Sequence, residues 1–219
     1  MSMYHDGCQL TMTEIAAVMS LAGKHRLLGF STEEANSLTA EKMWSACCKL
    51  MDDGMMTRID GKFRLSRELM DVMYPICHAR CVLVLTPKND AVPQMICYCA
   101  ETVTVMKQTP FGYVVLRTVD ASDLGAVMYE HLDLADPELM PREIDPEGEL
   151  QVFADSATDV LLSDAMFVIE MLDTEVNRGG WLRVVEVGVH RWLQWSKFEQ
   201  VSCCILTEDR LSDVMKRLL

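Results

Sequence analysis

Positive charge is what this sequence has too little of. Its 219 residues hold 20 Lys and Arg against 33 Asp and Glu, a net charge of −13. A chain so acidic repels nucleic acid and anionic lipid unless its cations are gathered in one place. The deficit is uneven: residues 1–80 carry nine basic and ten acidic side chains, a balance of −1, and residues 81–219 carry eleven and twenty-three, a balance of −12. Polyanion binding is excluded for the second part and has to be weighed separately for the first.

Reaction machinery is missing as well. There is no glycine-rich phosphate loop, no G-x-S-x-G elbow, no H-E-x-x-H and no kinase signature. The five histidines, at positions 5, 25, 78, 131 and 190, are scattered, and none sits beside a nucleophile in a recognisable motif. No uncharged apolar run approaches the ~18 residues a membrane helix needs, and MSMYHDGCQL has neither a basic start nor a signal-length apolar stretch. The expectation is a cytoplasmic, non-enzymatic protein that does not enter membranes.

Thiols, by contrast, are plentiful. Nine cysteines include the adjacent pairs Cys47/Cys48 and Cys203/Cys204 inside apolar runs, and there are 17 methionines. An odd count in that setting suits small buried hydrophobes in a reducing compartment better than a disulfide framework. Cys77-His78-Ala79-Arg80-Cys81, with His5 and Cys8 elsewhere, comes nearest to metal-ligand spacing. Zinc needs four converging ligands, so buried thiols at a helix-strand junction are the better reading, and no metal or cofactor is expected. Cys97 and Cys99 share one face of a strand and read as core.

The chain is internally duplicated. Sliding Cys81–Leu132 onto Val168–Leu219, a shift of 87 positions, pairs Leu124, Val127, Met128 and Leu132 with Leu211, Val214, Met215 and Leu219, and Phe111 and Val114 with Phe198 and Val201. Seven of the 52 pairs are identical, so the case rests on the order of elements and the apolar pattern. Each copy reads as strands followed by a helix. The first has CVLVLT, MICYCAETVTVMK as one strand or two, and GYVVLRTV, with Asp120 or Ser122 capping its helix. The second has MFVIEML, WLRVVEV, VHRWLQW and FEQVSCCIL, with Thr207 capping the last helix. The predicted fold class is α+β: a duplicated strands-plus-helix unit forming a mainly antiparallel sheet with pseudo-twofold symmetry. The expected boundaries are a helical, winged-helix-like segment over 1–80, a first repeat over 81–132, an acidic linker with a short helix near Ala157–Leu162 over 133–165, and a second repeat over 166–219.

The opening segment has the layout of a winged helix-turn-helix. Thr11–Ala22, a helix opening at Ser31, Thr39–Met51 and Ser66–Ile76 read as helices, and Met56–Ile59, Asp60-Gly61 and Lys62–Leu65 as a tight hairpin. Lys42, Lys49, Arg58, Lys62, Arg64 and Arg67 face only Asp52, Asp53 and Asp60 in that stretch, which makes them the DNA-binding candidates. The third helix argues against base readout. It is apolar at Met43, Trp44, Ala46, Cys47, Cys48, Leu50 and Met51, leaving chiefly Glu41, Lys42, Ser45, Lys49 and Asp52 exposed. Three of the four tryptophans lie in the second repeat, and Trp181, Trp192, Trp195 and Phe198 are the candidate partner anchors, since alternation sets Trp192 and Trp195 on opposite faces of one strand.

The layout as a whole resembles the EspG-type chaperones of type VII (ESX) secretion and their relatives in Gram-positive bacteria. The matching stretches are TMTEIAAVMSLAGKHRLLGF, GYVVLRTVDASDLGAVMYEHL and FEQVSCCILTEDRLSDVMKRLL. The resemblance implies a cytosolic, non-enzymatic protein that grips the tip of a helical hairpin, with small secreted α-helical proteins of the W-x-G or L-x-G kind as partners. A winged-helix transcription regulator with a duplicated sensor body is the alternative, and an open sheet edge would also allow a homodimer.

Overall fold

The computed structural model describes residues 7–24, 27–28, 39–88, 93–109, 111–132, 165–173, 180–187, 190–197 and 200–219. The helix expected from Ser31, the acidic linker and the short helix near Ala157–Leu162 fall outside them. In chain order the elements are β1 (Cys8–Thr11), α1 (Met12–Leu21), α2 (Ala40–Asp52), β2 (Met56–Ile59), β3 (Lys62–Leu65), α3 (Arg67–His78), β4 (Cys81–Pro87), β5 (Met95–Cys99), β6 (Val103–Gln108) and β7 (Tyr113–Val119). A short 3₁₀ turn leads into α4 (Leu124–His131), followed by β8 (Ala165–Asp173), β9 (Trp181–Val187), β10 (His190–Lys197), β11 (Gln200–Ile205) and α5 (Glu208–Leu218). No described helix is long and apolar enough to cross a membrane.

Nine strands form one sheet in the order β1-β7-β6-β5-β4-β8-β9-β10-β11. The β1–β7, β5–β6, β6–β7, β8–β9, β9–β10 and β10–β11 ladders are all antiparallel. Outward from the β4–β8 pair, the succession β4-β5-β6-β7 on one side matches β8-β9-β10-β11 on the other. The duplication therefore appears in the strand order, and the shift of 87 positions maps β6, β7 and α4 onto β10, β11 and α5. The long strand read in MICYCAETVTVMK is two, β5 and β6, broken at Ala100–Thr102. Neither Asp120 nor Ser122 caps the first helix through its side chain.

Contacts divide the chain into two compact units, residues 1–82 with 95–119 and residues 83–94 with 120–219. In the first, local rules set the helix starts: Thr11, Thr39 and Ser66 each accept an N–H from the first helical turn. The β2–β3 hairpin turns through Asp60 (φ 50°) and Gly61 (φ 75°), the left-handed pair that a two-residue hairpin loop demands. Helix α3 contains Pro75, which has no N–H to offer the Asp71 carbonyl one turn back. Thr118 Oγ1 donates to that carbonyl at 3.4 Å, and its cross-strand neighbour Thr104, fully buried, donates to the Val72 carbonyl at 2.8 Å.

A buried carboxylate ties three elements of the same unit. Glu14, 2% exposed, accepts the Thr11 N–H at 2.6 Å and the Thr11 hydroxyl at 2.8 Å, and pairs with Lys49 Nζ of α2 at 2.8 Å. Lys49 also lies 5.7 Å from the Tyr113 ring centroid. Burial alone would raise the Glu14 carboxyl, but the ammonium and the Thr11 donors outweigh it and hold it below its ordinary value.

In the second unit, α4 and α5 pack directly on each other. Leu124, Val127 and Met128 of α4 and Leu211, Val214 and Met215 of α5 are all buried. The helices touch at Gly125 and Ser212, positions related by the same shift of 87. A Cβ on Gly125 would stand 2.5 Å from Ser212 Cα and 2.7 Å from its N, inside backbone that has no flexible end to give way.

Two variants test these contacts. Helix propensity alone predicts that Gly125→Ala stabilises by about 1 kcal/mol, whereas the forced separation of α4 and α5 costs about 1–3 kcal/mol or more. The clash is expected to win, and a urea midpoint equal to or above wild type would refute the close crossing. Glu14 is depressed in the folded state, so its contribution is complete above the unfolded value of about 4.3 and disappears as pH falls through the lower folded value. Glu14→Gln should cost about 1–2 kcal/mol at pH 7. The gap to wild type should close in urea titrations carried below pH 4, and a gap independent of pH would count against the ion pair.

Candidate partner-binding surface

The two tryptophans of β10 do lie on opposite faces of the sheet. Trp192 is paired with Val185 and Ile205 and forms a core cluster with them and Ala165; it is 2% exposed, so it is a core residue rather than a surface anchor. Trp195 is half-buried and shares its face with its partner Leu182 and, beyond that, Ile169, both buried. Phe198 lies outside the described residues.

Trp181 is the tryptophan with a polar setting. It is half-buried, at a position paired with Ser196 and Glu170, and the Arg183 guanidinium sits 5.2 Å from its ring centroid. Arg183 Nε donates to Gln194 Oε1 at 2.6 Å, and Gln194 itself is buried. Burial lowers the Arg183 guanidinium from its ordinary value. Glu170 is exposed on the next strand. An aromatic ring with a held guanidinium over it and a carboxylate alongside is the composition of a protein-binding hot spot.

The six candidate DNA contacts are spread over α2, the β2–β3 hairpin and the start of α3. Lys49 is committed to Glu14. Arg67 opens α3 and lines a cleft of about 760 Å³ with Gly7, Met70, Tyr74 and Thr118. Lys42 is exposed on α2, and Arg58, Lys62 and Arg64 are exposed on the hairpin. The expected apolar assignment of Trp44 is corrected: it is 51% exposed, with Arg58 5.9 Å from its ring centroid and 5.8 Å from that of Phe63. A helical wheel already held this signal. Ala46, Cys47 and Leu50 define the buried face of α2, and Trp44 lies roughly 110° from its centre at 100° per residue.

Burial pushes the Cys8 thiol up to about 11 and the Cys97 thiol up to about 12, and raises Cys77 and Cys99 as well, so these thiols stay protonated at neutral pH. His78 stacks on Tyr74 at 4.3 Å and its Nδ1 lies 3.0 Å from the Tyr74 carbonyl. No three His, Cys, Asp or Glu side chains converge as a metal site would require among the described residues.

No protein-family model matches the chain, and no curated protein is significantly similar to it. Among solved structures, the type VII secretion system chaperone EspG5 of Mycobacterium tuberculosis, seen in complex with the PE25–PPE41 dimer, superposes with a TM-score of 0.57. The match covers 97% of this chain and 95% of that one at 10% identity. What the two chains share is therefore the fold, from end to end, and that fold is an EspG-like one.

Proposed function

We propose that this protein is a non-enzymatic, cytoplasmic chaperone or adaptor that holds a small α-helical protein for a type VII-like secretion system. The observation that carries the reading is the end-to-end fold likeness to EspG5, which extends over both repeats and the opening segment. The likeness is one of architecture, so the partner assignment, W-x-G or L-x-G helical proteins, rests on analogy with the PE25–PPE41 dimer bound by that chaperone. An acidic body built from a duplicated strands-plus-helix unit, with the half-buried Trp181 on one sheet face, agrees with it. The DNA-binding alternative loses one of its six cations, because Lys49 pairs with Glu14 at 2.8 Å.

Trp181 and Arg183, which share one sheet face, are the proposed contact residues; Trp195 lies on the opposite face, and Trp192 is reassigned to the core. Expression of the tagged protein in a relative of its host, with mass spectrometry of what co-purifies, should recover a small helical protein at near one-to-one stoichiometry. Nuclease-sensitive material alone, or nothing, would reject the chaperone reading. Once that partner is identified, Trp181→Ala should weaken its capture by about 2 kcal/mol or more while the thermal transition stays near wild type. Trp192→Ala should cost about 3–5 kcal/mol of stability instead. Unchanged partner affinity in a folded Trp181→Ala protein would remove that face from the interface.

A further inference from the structure

The β2–β3 hairpin carries a surface that the fold does not use. Registered pairs share a face, so Thr57 with Arg64 and Ile59 with Lys62 form the outer side, while Arg58 with Phe63 and Met56 with Leu65 form the other. All four outer residues are exposed, Ile59 at 43%. None of the eight strand positions is acidic, and Asp60 occupies the turn. Lys62 and Arg64 form no ion pair with any described residue. The two-stranded sheet also ends at β2 and β3, so each has an edge without a strand beside it among the described residues. Beneath, Arg58 lies against both Trp44 and Phe63, which fixes a planar cation beside an exposed indole.

We propose that this hairpin is a docking surface for an acidic, extended protein segment, which sets its carboxylates on Lys62 and Arg64 and an apolar side chain on Ile59. Charge complementarity selects the occupant: two unpaired cations flank an exposed aliphatic side chain in a chain whose net charge is −13. A strand-like segment suits the free hairpin edges, since added strands gain main-chain hydrogen bonds there. Duplex DNA fits less well. The helix a winged-helix protein lays in the groove is here α2, and its exposed positions include Glu41, Trp44 and Asp52 with Lys42 as a cation, which sets acids against phosphates. The inference stands on the hairpin and does not depend on the chaperone reading.

The test uses the full chain and three fluorescein-labelled probes: a short peptide alternating glutamate and valine, the same peptide with lysine for glutamate, and a short random DNA duplex. Anisotropy should rise with the glutamate peptide alone and weaken as salt is raised from about 50 to about 300 mM. Lys62→Glu/Arg64→Glu should reduce affinity by about tenfold or more. The neutral pair Lys62→Gln/Arg64→Gln should reduce it less, and Lys216→Glu on α5 should leave it unchanged. Circular dichroism confirms folding, and if the charge-reversed pair fails to fold, the neutral pair carries the comparison. Binding absent, equal for the lysine peptide, or unmoved by the folded hairpin variants would overturn the proposal. Tighter binding of the duplex would assign the hairpin to nucleic acid and overturn it as well.

Discussion

The second unit depends on a distance of closest approach. Helices α4 and α5 are the two copies of one helix, and they meet where residue 125 of the first faces residue 212 of the second, the same position counted along each repeat. Two helices brought so near need small residues at the crossing. Here one position is glycine and the other serine, which lets the flanking Leu, Val and Met of both helices close into a single apolar seam. Had both positions carried a bulky side chain, the duplicated helices could not bury their matching stripes against each other.

Much of this architecture was legible because local chemistry and tertiary packing agree. Thr11, Thr39, Ser66 and Thr207 cap the helices that the apolar spacing proposes, and Asp60-Gly61 makes the turn that its φ angles require. The duplication was read from seven identities, yet its register survives at the level of whole elements. Apolar periodicity records which face of an element is buried, and that is what a shared ancestor or a shared geometry preserves longest.

The misreadings came where burial depends on distant chain. Trp192 looks like any alternating strand residue, and only its packing against Ala165, Val185 and Ile205 makes it core. Strand β1 was invisible because no turn signal marks it as Asp60-Gly61 marks the equally short β2 and β3, and its existence rests on pairing with β7. Lys49 counted as a free cation until α1 brought Glu14 within 2.8 Å of it, which no spacing in the sequence encodes. A concentration of tryptophan in the second repeat was legible. Which face each ring takes was decided by the β9–β10 register.

Pro75 has a consequence for how rigidly the first unit is assembled. A helix lying on a sheet through apolar contacts alone can slide or roll at little cost, above all where the contact includes polarisable, adaptable side chains such as Met73 and Met106. The proline releases a carbonyl, and two cross-strand threonines grip consecutive carbonyls of the helix from below. Hydrogen bonds have direction where thioethers do not, so α3 keeps one address on the sheet. The soft core can then absorb substitutions without moving the helix that carries Arg67, Met70 and Tyr74 to the surface.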